Sequence, residues 1–403
     1  MPPGDVIKIQ LEKIVQGADA IGRIDGKPVF VEAGAPCETV LCRITEDHKT
    51  WIRAELLEII EKSPVRTDSV CAQLKQCAFY KKCGGCNLQH IDYNAQLEIK
   101  ASILKESFLR IGSIETVHPD IFPSPSLEYR NRMQFHCFRQ KQCAQNVSRD
   151  NCGFGLKGND GEIIAINDCP IAVNGIRDIL KGARRITLPV EKDRFTVFSK
   201  DDVFLNEGDI SRGKIKLLDK EIILDAQLFF QSNCYMLEKL IIELRKIASE
   251  ADQNAAMADL YCGVGTFSVF LAEMFPKIIL TEINKTAVSI ARENLCGKNT
   301  KFPAEFFALK DTDWPVHLMK RSFGFAVIDP PRAGMNSALA AMLAKNGPPL
   351  LAYISCDAAS IARDAKILVN GGYQLSRLMM FDFYPHTAHI EALAVFKRQR
   401  NIF

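Results

Sequence analysis

A chain of 403 residues with 51 Lys/Arg, 48 Asp/Glu and 47% hydrophobic residues has room for two or three domains with sizeable cores. Its composition is that of an ordinary soluble globular protein. No run approaches the roughly 18 apolar residues of a membrane span, and Met1-Pro2-Pro3-Gly4-Asp5 lacks the basic stretch and apolar core of a secretion signal. Fourteen cysteines without such a signal point to a reducing compartment rather than a disulfide scaffold, so the expected location is cytoplasmic. The net charge of +3 is unevenly spread: residues 1–62 hold eight Lys/Arg against eleven Asp/Glu, residues 63–150 twelve against eight. A phosphate-binding surface is therefore a local feature, favoured after residue 62.

Residues 5–62 read as a small β-barrel. Ile7, Ile9 and Leu11 alternate with Lys8, Gln10 and Glu12, the period of a half-buried strand. Asp25-Gly26 is a hairpin signal ahead of Val29-Phe30-Val31, and Val40, Cys42 and Ile44 alternate again before Ser63-Pro64 closes the unit.

A cysteine-rich run follows: Cys77, five residues, then Cys83-Gly84-Gly85-Cys86, with Cys71 ahead of Cys77 by another five intervening residues. Thiolates this close, separated by glycines that tolerate positive φ, fit the wrapping of an iron–sulfur cluster by four thiolates. The fourth ligand must come from elsewhere, and Cys169-Pro170 is the best candidate. A structural zinc site and plain core packing are the competing readings, although the spacing does not fit the usual zinc pairs. Cys71 leaves the register open by one cysteine.

A helix is expected over about Asp92–Ile111, with Tyr93, Leu97, Leu104, Phe108 and Ile111 on one face and Gly112 as its C-cap. Residues 113–230 return to a strand pattern. In Arg130-Asn131-Arg132-Met133-Gln134-Phe135-His136-Cys137 the apolar Met133, Phe135 and Cys137 alternate with polar neighbours. From about residue 229 helical segments (Tyr235–Ala248, Lys285–Leu295, Ala358–Val369) alternate with short apolar runs at 258–261, 278–281, 325–328 and 351–354, the grammar of a doubly wound parallel sheet.

Chemistry gathers at the ends of those runs. Asp259-Leu260-Tyr261-Cys262-Gly263-Val264-Gly265-Thr266 closes the first strand, where glycines let the backbone approach a ligand. Glu282 closes the second strand, where a carboxylate can accept ribose hydroxyls. Ser268 stands where a dinucleotide fingerprint would have its third glycine, which favours S-adenosylmethionine over NAD. Asp329-Pro330-Pro331-Arg332 closes a further strand. It lacks the aromatic residue with which amino-group methyltransferases stack their base. Cys356 follows the run 351–354, and His386-Thr387-Ala388-His389-Ile390-Glu391 lies near the C-terminus. A thiolate can add to an electron-poor ring carbon. A carboxylate with histidines beside it can be held at a raised pKa and act as a base. Carbon 5 of a pyrimidine becomes nucleophilic only once carbon 6 is attacked, so a cysteine and a base opposite a methyl donor are the minimal set for methylation there.

These residues resemble the RNA uracil-5-methyltransferases, which make 5-methyluridine in ribosomal and transfer RNA. The matching motifs are Cys77…Cys83-Gly84-Gly85-Cys86, Tyr129-Arg130-Asn131-Arg132, Phe229-Phe230-Gln231-Ser232-Asn233, Asp259–Thr266, Asp329–Arg332, Ser355-Cys356 and Pro385 through Glu391. They run in order over essentially the whole chain. The resemblance implies an α/β fold. A Rossmann-like class I methyltransferase domain (229–403) would follow a TRAM-like, OB-like β-barrel (1–62) and a central, mostly β iron–sulfur and RNA-binding domain (63–228), with helix 92–112 packed on the catalytic domain. It implies S-adenosyl-L-methionine held by Gln231, Tyr261, Glu282 and Asp329. Cys356 would be the nucleophile, Glu391 the base, and Cys77, Cys83, Cys86 and Cys169 the ligands of a 4Fe-4S cluster. Arg130 or Arg132 would hold the uracil or a neighbouring phosphate.

The implied reaction is covalent. The uridine leaves its stack, Cys356 adds to carbon 6, carbon 5 takes the methyl group, and Glu391 removes the carbon-5 proton before elimination. RNA is the expected partner, 23S rRNA in preference to tRNA because of the barrel, and the protein is expected to be a monomer. Two rivals stand beside this reading: a non-catalytic iron–sulfur RNA-binding protein, and a 5-methylcytidine methyltransferase, against which Arg332 speaks because those enzymes place a cysteine after the proline. One departure from the family pattern is Asp357-Ala358 in place of Asn-Pro after the nucleophile. It predicts a looser loop and a carboxylate that raises the thiol pKa.

Overall fold

The computed structural model describes residues 2–67, 77–139, 152–189, 192–297, 302–319 and 321–398. In chain order the first strands are β1 (Val6–Ile14), β2 (Ala20–Ile24), β3 (Lys27–Val31), β4 (Thr39–Asp47) and β5 (Ile52–Glu61). Helix α1 (Tyr93–Ser107) follows, then β6 (Asp120–Phe122), β7 (Arg132–Arg139), β8 (Cys152–Lys157), β9 (Ile163–Ile164) and α2 (Asn174–Leu180). Next come β10 (Arg194–Lys200), β11 (Val203–Asn206), β12 (Arg212–Leu217), β13 (Lys220–Asp225) and α3 (Cys234–Ala248). The C-terminal half runs β14 (Ala256–Leu260), α4 (Thr266–Leu271), β15 (Ile278–Glu282), α5 (Lys285–Cys296), β16 (Ala304–Ala308), α6 (Trp314–Leu318) and β17 (Phe323–Ile328). It ends with α7 (Ser337–Asn346), β18 (Leu350–Ser355), α8 (Ala358–Asn370), β19 (Tyr373–Phe381) and β20 (Glu391–Arg398). Two compact units result, one of Met1–Ile103, His136–Pro170 and Tyr384–His389, the other of Leu104–Phe135, Ile171–Phe383 and Ile390–Phe403.

In the first unit β1-β2-β3-β5-β4 close a barrel. The alternation read from the sequence is what fills it: Ile9, Leu11, Val29, Val31, Val40, Cys42, Ile44, Ile52 and Ala54 are all buried inside. Asp25 and Gly26 both take positive φ (48° and 79°), the turn that matches the twist of a two-residue hairpin. The segment after the barrel is latched back onto it. Glu38, fully buried, pairs with Arg66 and also accepts from Ala35 N–H at 2.9 Å, while the Arg66 guanidinium donates to Ala33 O at 2.6 Å. His90 bridges Gly34 O and the Tyr80 hydroxyl, each at 2.9 Å, and burial pushes its pKa down to about 4. It is a neutral spacer.

Helix α1 begins on Asp92, whose carboxylate accepts from Asn94 N–H at 2.9 Å. Its C-cap falls one residue beyond the Gly112 that the sequence predicts. Phe108–Gly112 add a π-helical turn, and the left-handed residue is Ser113 (φ 55°), whose N–H closes on Phe108 O. In the second unit this turn packs on α8, so closely that a Cβ on Gly112 would sit 3.1 Å from Ala362 O. A tight contact, not a cap, is what asks for glycine there.

The second unit is built on a sheet of order β16-β15-β14-β17-β18-β20-β19-β6. Strands β14 to β18 are parallel neighbours, and β20 runs antiparallel to both β18 and β19. Every residue of β18 is buried, as expected of a strand covered on both faces. The chain steps outward from β14 through β15 to β16, then returns to β17 on the other side. This reversal opens a crevice at the carboxyl ends of β14 and β17. No helix among the described residues is long and apolar enough to cross a membrane.

The latch gives a stability test. Glu38→Ala leaves a buried guanidinium without its counter-ion, a loss of about 3–5 kcal/mol. It should read as a lower urea midpoint with an unchanged m-value; a loss below about 1 kcal/mol would mean that the pair behaves as a surface one.

Candidate active site

The loop after β14 reverses sharply. Tyr261 (φ 64°), Gly263 (φ 53°) and Gly265 (φ 78°) all lie in the left-handed region, and α4 starts directly on Gly265. Glu282, at the end of β15, accepts from Gly263 N–H at 3.2 Å with one oxygen and from Ile283 and Asn284 N–H at 2.9 Å with the other. The Tyr261 hydroxyl donates to Asp311 at 3.0 Å, and its ring packs edge-on against Trp314. Asp311 was not singled out in the sequence, because one acidic residue in a loop carries no pattern.

Gln231 is set by its neighbours. Asn233 caps α3 through Met236 N–H and donates to Ser124 Oγ at 2.9 Å and Phe383 O at 3.1 Å. Asn131 donates to Ser199 O at 2.7 Å and accepts from Cys234 N–H at 2.9 Å. Held between these locks, Gln231 Oε1 is buried without a hydrogen-bond partner. Such an atom costs free energy unless a ligand's donor meets it. The asparagines of the two motifs are thus braces. The arginines flank them: Arg130 Nε reaches Arg132 O at 3.3 Å, and Arg132 reaches Leu228 O at 3.2 Å with its guanidinium over the exposed Phe229 ring. Cys71 lies outside the described residues.

Across the crevice, Asp329 follows β17, Cys356 follows β18, and Glu391 opens β20. The last paired residues of β18 and β20 are Ser355 and Ala392. One further step of that antiparallel register sets Cys356 beside Glu391. Burial pushes the Cys356 thiol up to about 11, with the Glu391 and Asp329 carboxyls adding to the rise and the Arg332 guanidinium, hydrogen-bonded to the thiol, opposing it. Glu391 is 3% exposed. Burial holds its carboxyl well above the usual carboxylate range, Asp329 pushes the same way, and Arg332 pulls back. Asp329 is raised to about 7 by burial and by Asp259. Arg332, quoted in the sequence only for what it is not, is therefore the cation of this site.

Two expectations change. The rise of the thiol is led by burial, Glu391 and Asp329; the Asp357 carboxylate caps α8 by accepting from Ser360 N–H at 2.7 Å, and the loop is braced rather than loose, with Ser355 Oγ bonded to Asp357 O at 3.1 Å. The histidines do not raise Glu391. His386 and His389 belong to the first unit. There His386 takes positive φ (64°) and is clamped by Gln96, which accepts from its N–H at 2.9 Å. Asn87 and Leu88 N–H close on its carbonyl at 3.0 and 2.9 Å.

Cys77, Cys83, Cys86 and Cys169 are half-buried. The loop carrying the first three is tied by its backbone to the hairpin after β8, Gly84 N–H to Lys157 O at 3.1 Å and Asn159 N–H to Lys82 O at 3.0 Å. Among the described residues no group of His, Cys, Asp or Glu is arranged to hold a metal ion. The expected four-thiolate cage has no support from this geometry, which shows a loop organised by main-chain bonds.

A parallel sheet with its switch-point crevice, joined to a closed five-stranded barrel, defines a class I methyltransferase fold with an appended TRAM module. The family model described as tRNA (Uracil-5-)-methyltransferase matches residues 198–399, and the TRAM domain model matches residues 3–57. A protein of Treponema denticola described as an uncharacterized RNA methyltransferase is 32% identical over 97% of this chain and 98% of its own length. The chain belongs to the tRNA (uracil-5-)-methyltransferase family: it is an RNA uracil-5-methyltransferase. Two further relatives are each 26% identical. The 23S rRNA (uracil(1939)-C(5))-methyltransferase RlmD of a Marinomonas species covers 99% of this chain with 96% of its own length, and the tRNA (uracil(54)-C(5))-methyltransferase of Pyrococcus abyssi covers 93% with 97%. The fold of that Pyrococcus enzyme, solved with S-adenosyl-L-homocysteine, superimposes with a TM-score of 0.70 at 22% identity over 97% of this chain and all of that one.

Asp259 adds a pH signature. It is fully buried on β14 with one oxygen accepting from Ser268 Oγ and the other without a hydrogen-bond partner, and burial raises it to about 6. An acid raised on folding stabilises the fold below its unfolded pKa, and that contribution is lost as pH rises through the folded value. Asp259→Asn should therefore gain stability relative to the wild type between about pH 4 and 6. A melting-temperature difference flat across that window would place the titration elsewhere.

Proposed function

We propose that the protein transfers the methyl group of S-adenosyl-L-methionine to carbon 5 of one uridine in 23S rRNA, as a cytoplasmic monomer, through a covalent Cys356–uracil adduct. The observation that carries this reading is the meeting of Cys356, Glu391 and Arg332 at the rim that also bears Asp329. The tRNA reading stands second, since the Pyrococcus tRNA enzyme is as similar in sequence as the rRNA one.

Gln231, Tyr261, Glu282 and Asp329 would hold the methyl donor. The orphaned acceptor of Gln231 and the carboxylate that ends β15 suit a ligand with an ammonium and ribose hydroxyls. When bound, that donor supplies an electrophilic methyl on a sulfonium, whose positive charge favours the ionised forms of neighbouring carboxyls. In the free protein the raised Cys356 thiol and Glu391 carboxyl keep their protons at neutral pH, while Asp329, raised to about 7, is partly ionised. The Cys356 thiol gives its proton to solvent before it adds to carbon 6, with Arg332 stabilising the thiolate, and Glu391 likewise releases its proton to solvent when the sulfonium's charge favours its ionised form. Electron density moved onto carbon 5 takes the methyl group. Glu391, ionised by then, accepts the carbon-5 proton, and elimination returns the thiolate. Arg130 and Arg132 supply positive charge for the RNA.

A 4Fe-4S cluster on Cys77, Cys83, Cys86 and Cys169 is proposed on the spacing of those residues alone, and no step of the reaction runs through it. Protein prepared without oxygen should hold about four irons per chain, reduced by Cys169→Ala; iron-free protein with bound zinc, or with no metal, would discard the cluster.

The chemistry is tested by two variants. Cys356→Ala should abolish methylation and leave S-adenosylmethionine binding within about twofold, since the thiol meets the base and not the donor. Glu391→Gln should differ in kind: addition and methyl transfer proceed, release stalls, and a covalent protein–RNA species builds up on a denaturing gel. Turnover by Cys356→Ala would end the covalent reading, and near wild-type turnover by Glu391→Gln would remove Glu391 as the base.

A further inference from the structure

One buried carboxylate of the catalytic unit has no part in that scheme. Asp364, in the second turn of α8, is 1% exposed. Its Oδ2 accepts two bonds, from the Tyr353 hydroxyl at 2.6 Å and from the Met335 backbone N–H at 2.8 Å. Its Oδ1 accepts both Nε and a terminal nitrogen of Arg363, at 2.8 and 2.7 Å, and the same guanidinium donates to Ala333 O at 2.8 Å. The three partners come from three places. Tyr353 lies on β18, three residues before Cys356. Met335 and Ala333 bracket the turn that follows Arg332. Arg363 and Asp364 belong to the helix that starts two residues after Cys356. The turn is drawn so close that it must contain glycine: Gly334 has φ 79°, and a Cβ there would lie 2.5 Å from the Arg363 guanidinium and 2.6 Å from Asp364 Oδ2.

We propose that Asp364 is a positioning residue for the reaction, tying the loop that carries Arg332 to the strand that ends in Cys356 and so fixing the guanidinium against the thiol. This rests on the reading of Cys356 as nucleophile. The physical case is one of tolerance. A guanidinium lowers the energy of a thiolate only within a short range and at a set direction. Arg332 sits on a loop between β17 and α7, and a loop holds such a geometry only if its backbone is pinned. Asp364 pins it at the residue where the chain turns. Because one oxygen serves both Tyr353 and Met335, a shift of either element is felt by the other. The groups facing the thiol are Glu391 from β20, Asp329 from the end of β17 and Arg332 from the loop; Asp364 acts on the last of these only.

The test is a double-mutant cycle read on the thiol itself. In the full-length, cofactor-free protein, iodoacetamide labelling of Cys356 is followed by peptide mass spectrometry over a pH series up to about 11. Arg332→Gln should slow labelling at fixed pH by up to about tenfold, the equivalent of one pKa unit. Asp364→Asn should slow it by a similar factor. The Arg332→Gln/Asp364→Asn pair should be no slower than Arg332→Gln alone, because the second change acts only through the first. For methylation, Asp364→Asn should lower kcat by about 10- to 100-fold while KM for RNA stays within about twofold. Additive slowing in the double variant, or unchanged labelling in Asp364→Asn, overturns the proposal. If Asp364→Asn fails to fold, Tyr353→Phe, which removes one of the two bonds to Oδ2 without emptying the site, carries the same cycle with Arg332→Gln. The two readings fail separately: a Cys356→Ala enzyme that still methylates ends the nucleophile, whereas additivity in the labelling cycle ends the role of Asp364 alone.

Discussion

Asp259 and Glu391, both buried, and the half-buried Asp329 are carboxyl groups at one edge of a single sheet, and the raised pKa of each has desolvation as its largest cause. Parallel strands bring their carboxyl ends together, and the reversal between β14 and β17 leaves room for a ligand between them. The same geometry that makes a binding crevice therefore crowds acids into a poorly solvated place. Two devices answer the crowding. Ser268 donates to Asp259 from the first turn of α4, and Arg332 faces Cys356 and Glu391. What these do not neutralise is carried as bound protons. A site charged in this way is poised for a positively charged ligand, because a cation brought in costs nothing in repulsion and releases protons from the carboxyls.

The first unit handles a different cost. His386 holds a left-handed backbone, uncommon for a residue with a side chain, and its neighbours hold it there. Gln96, itself buried, accepts from His386 N–H and donates to Leu88 O and Ile91 O at 3.1 and 2.8 Å. Buried Lys100 donates to Tyr384 O at 3.0 Å, and Asn87 accepts from Ala388 N–H at 2.9 Å. Asn87 and Leu88 directly follow the Cys83-Gly84-Gly85-Cys86 motif. The cysteine segment is thus part of the clamp on the six residues that precede Ile390 and Glu391 in the chain, which gives that segment a structural task whether or not it holds a metal.

Periodicity made the fold legible. Alternation named the barrel strands and buried the residues it said would be buried, and the change to helices alternating with short apolar runs announced the parallel sheet. Boundaries erred where a tertiary contact decided them, as when Gly112 proved to be a close-approach glycine against Ala362 O rather than a cap. The candidate site was legible through motifs at strand ends, because only the ends of strands face the crevice. Arg332 escaped assignment because a guanidinium gains its meaning from what it faces, and Asp364 and Asp311 because neither sits in a motif. The histidines misled for the converse reason. Closeness in sequence suggested influence on Glu391, whereas the chain carries them into the other unit.

The departure at Asp357-Ala358 shows how a motif can change while its physics is kept. The residue after Cys356 leads from β18 into α8, so it needs an acceptor for the helix's first N–H groups. Aspartate and asparagine serve equally there, and Asp357 takes Ser360 N–H at 2.7 Å in extended backbone. Its charge lies at the positive end of a thirteen-residue helix, where an anion is stabilised. Proline at the next position would only stiffen a first turn that can do without its N–H bond, and Ala358, buried at that point, is the strongest helix former in its place. The substitution exchanges one way of starting the helix for another and leaves the thiol's surroundings to Glu391, Asp329 and Arg332.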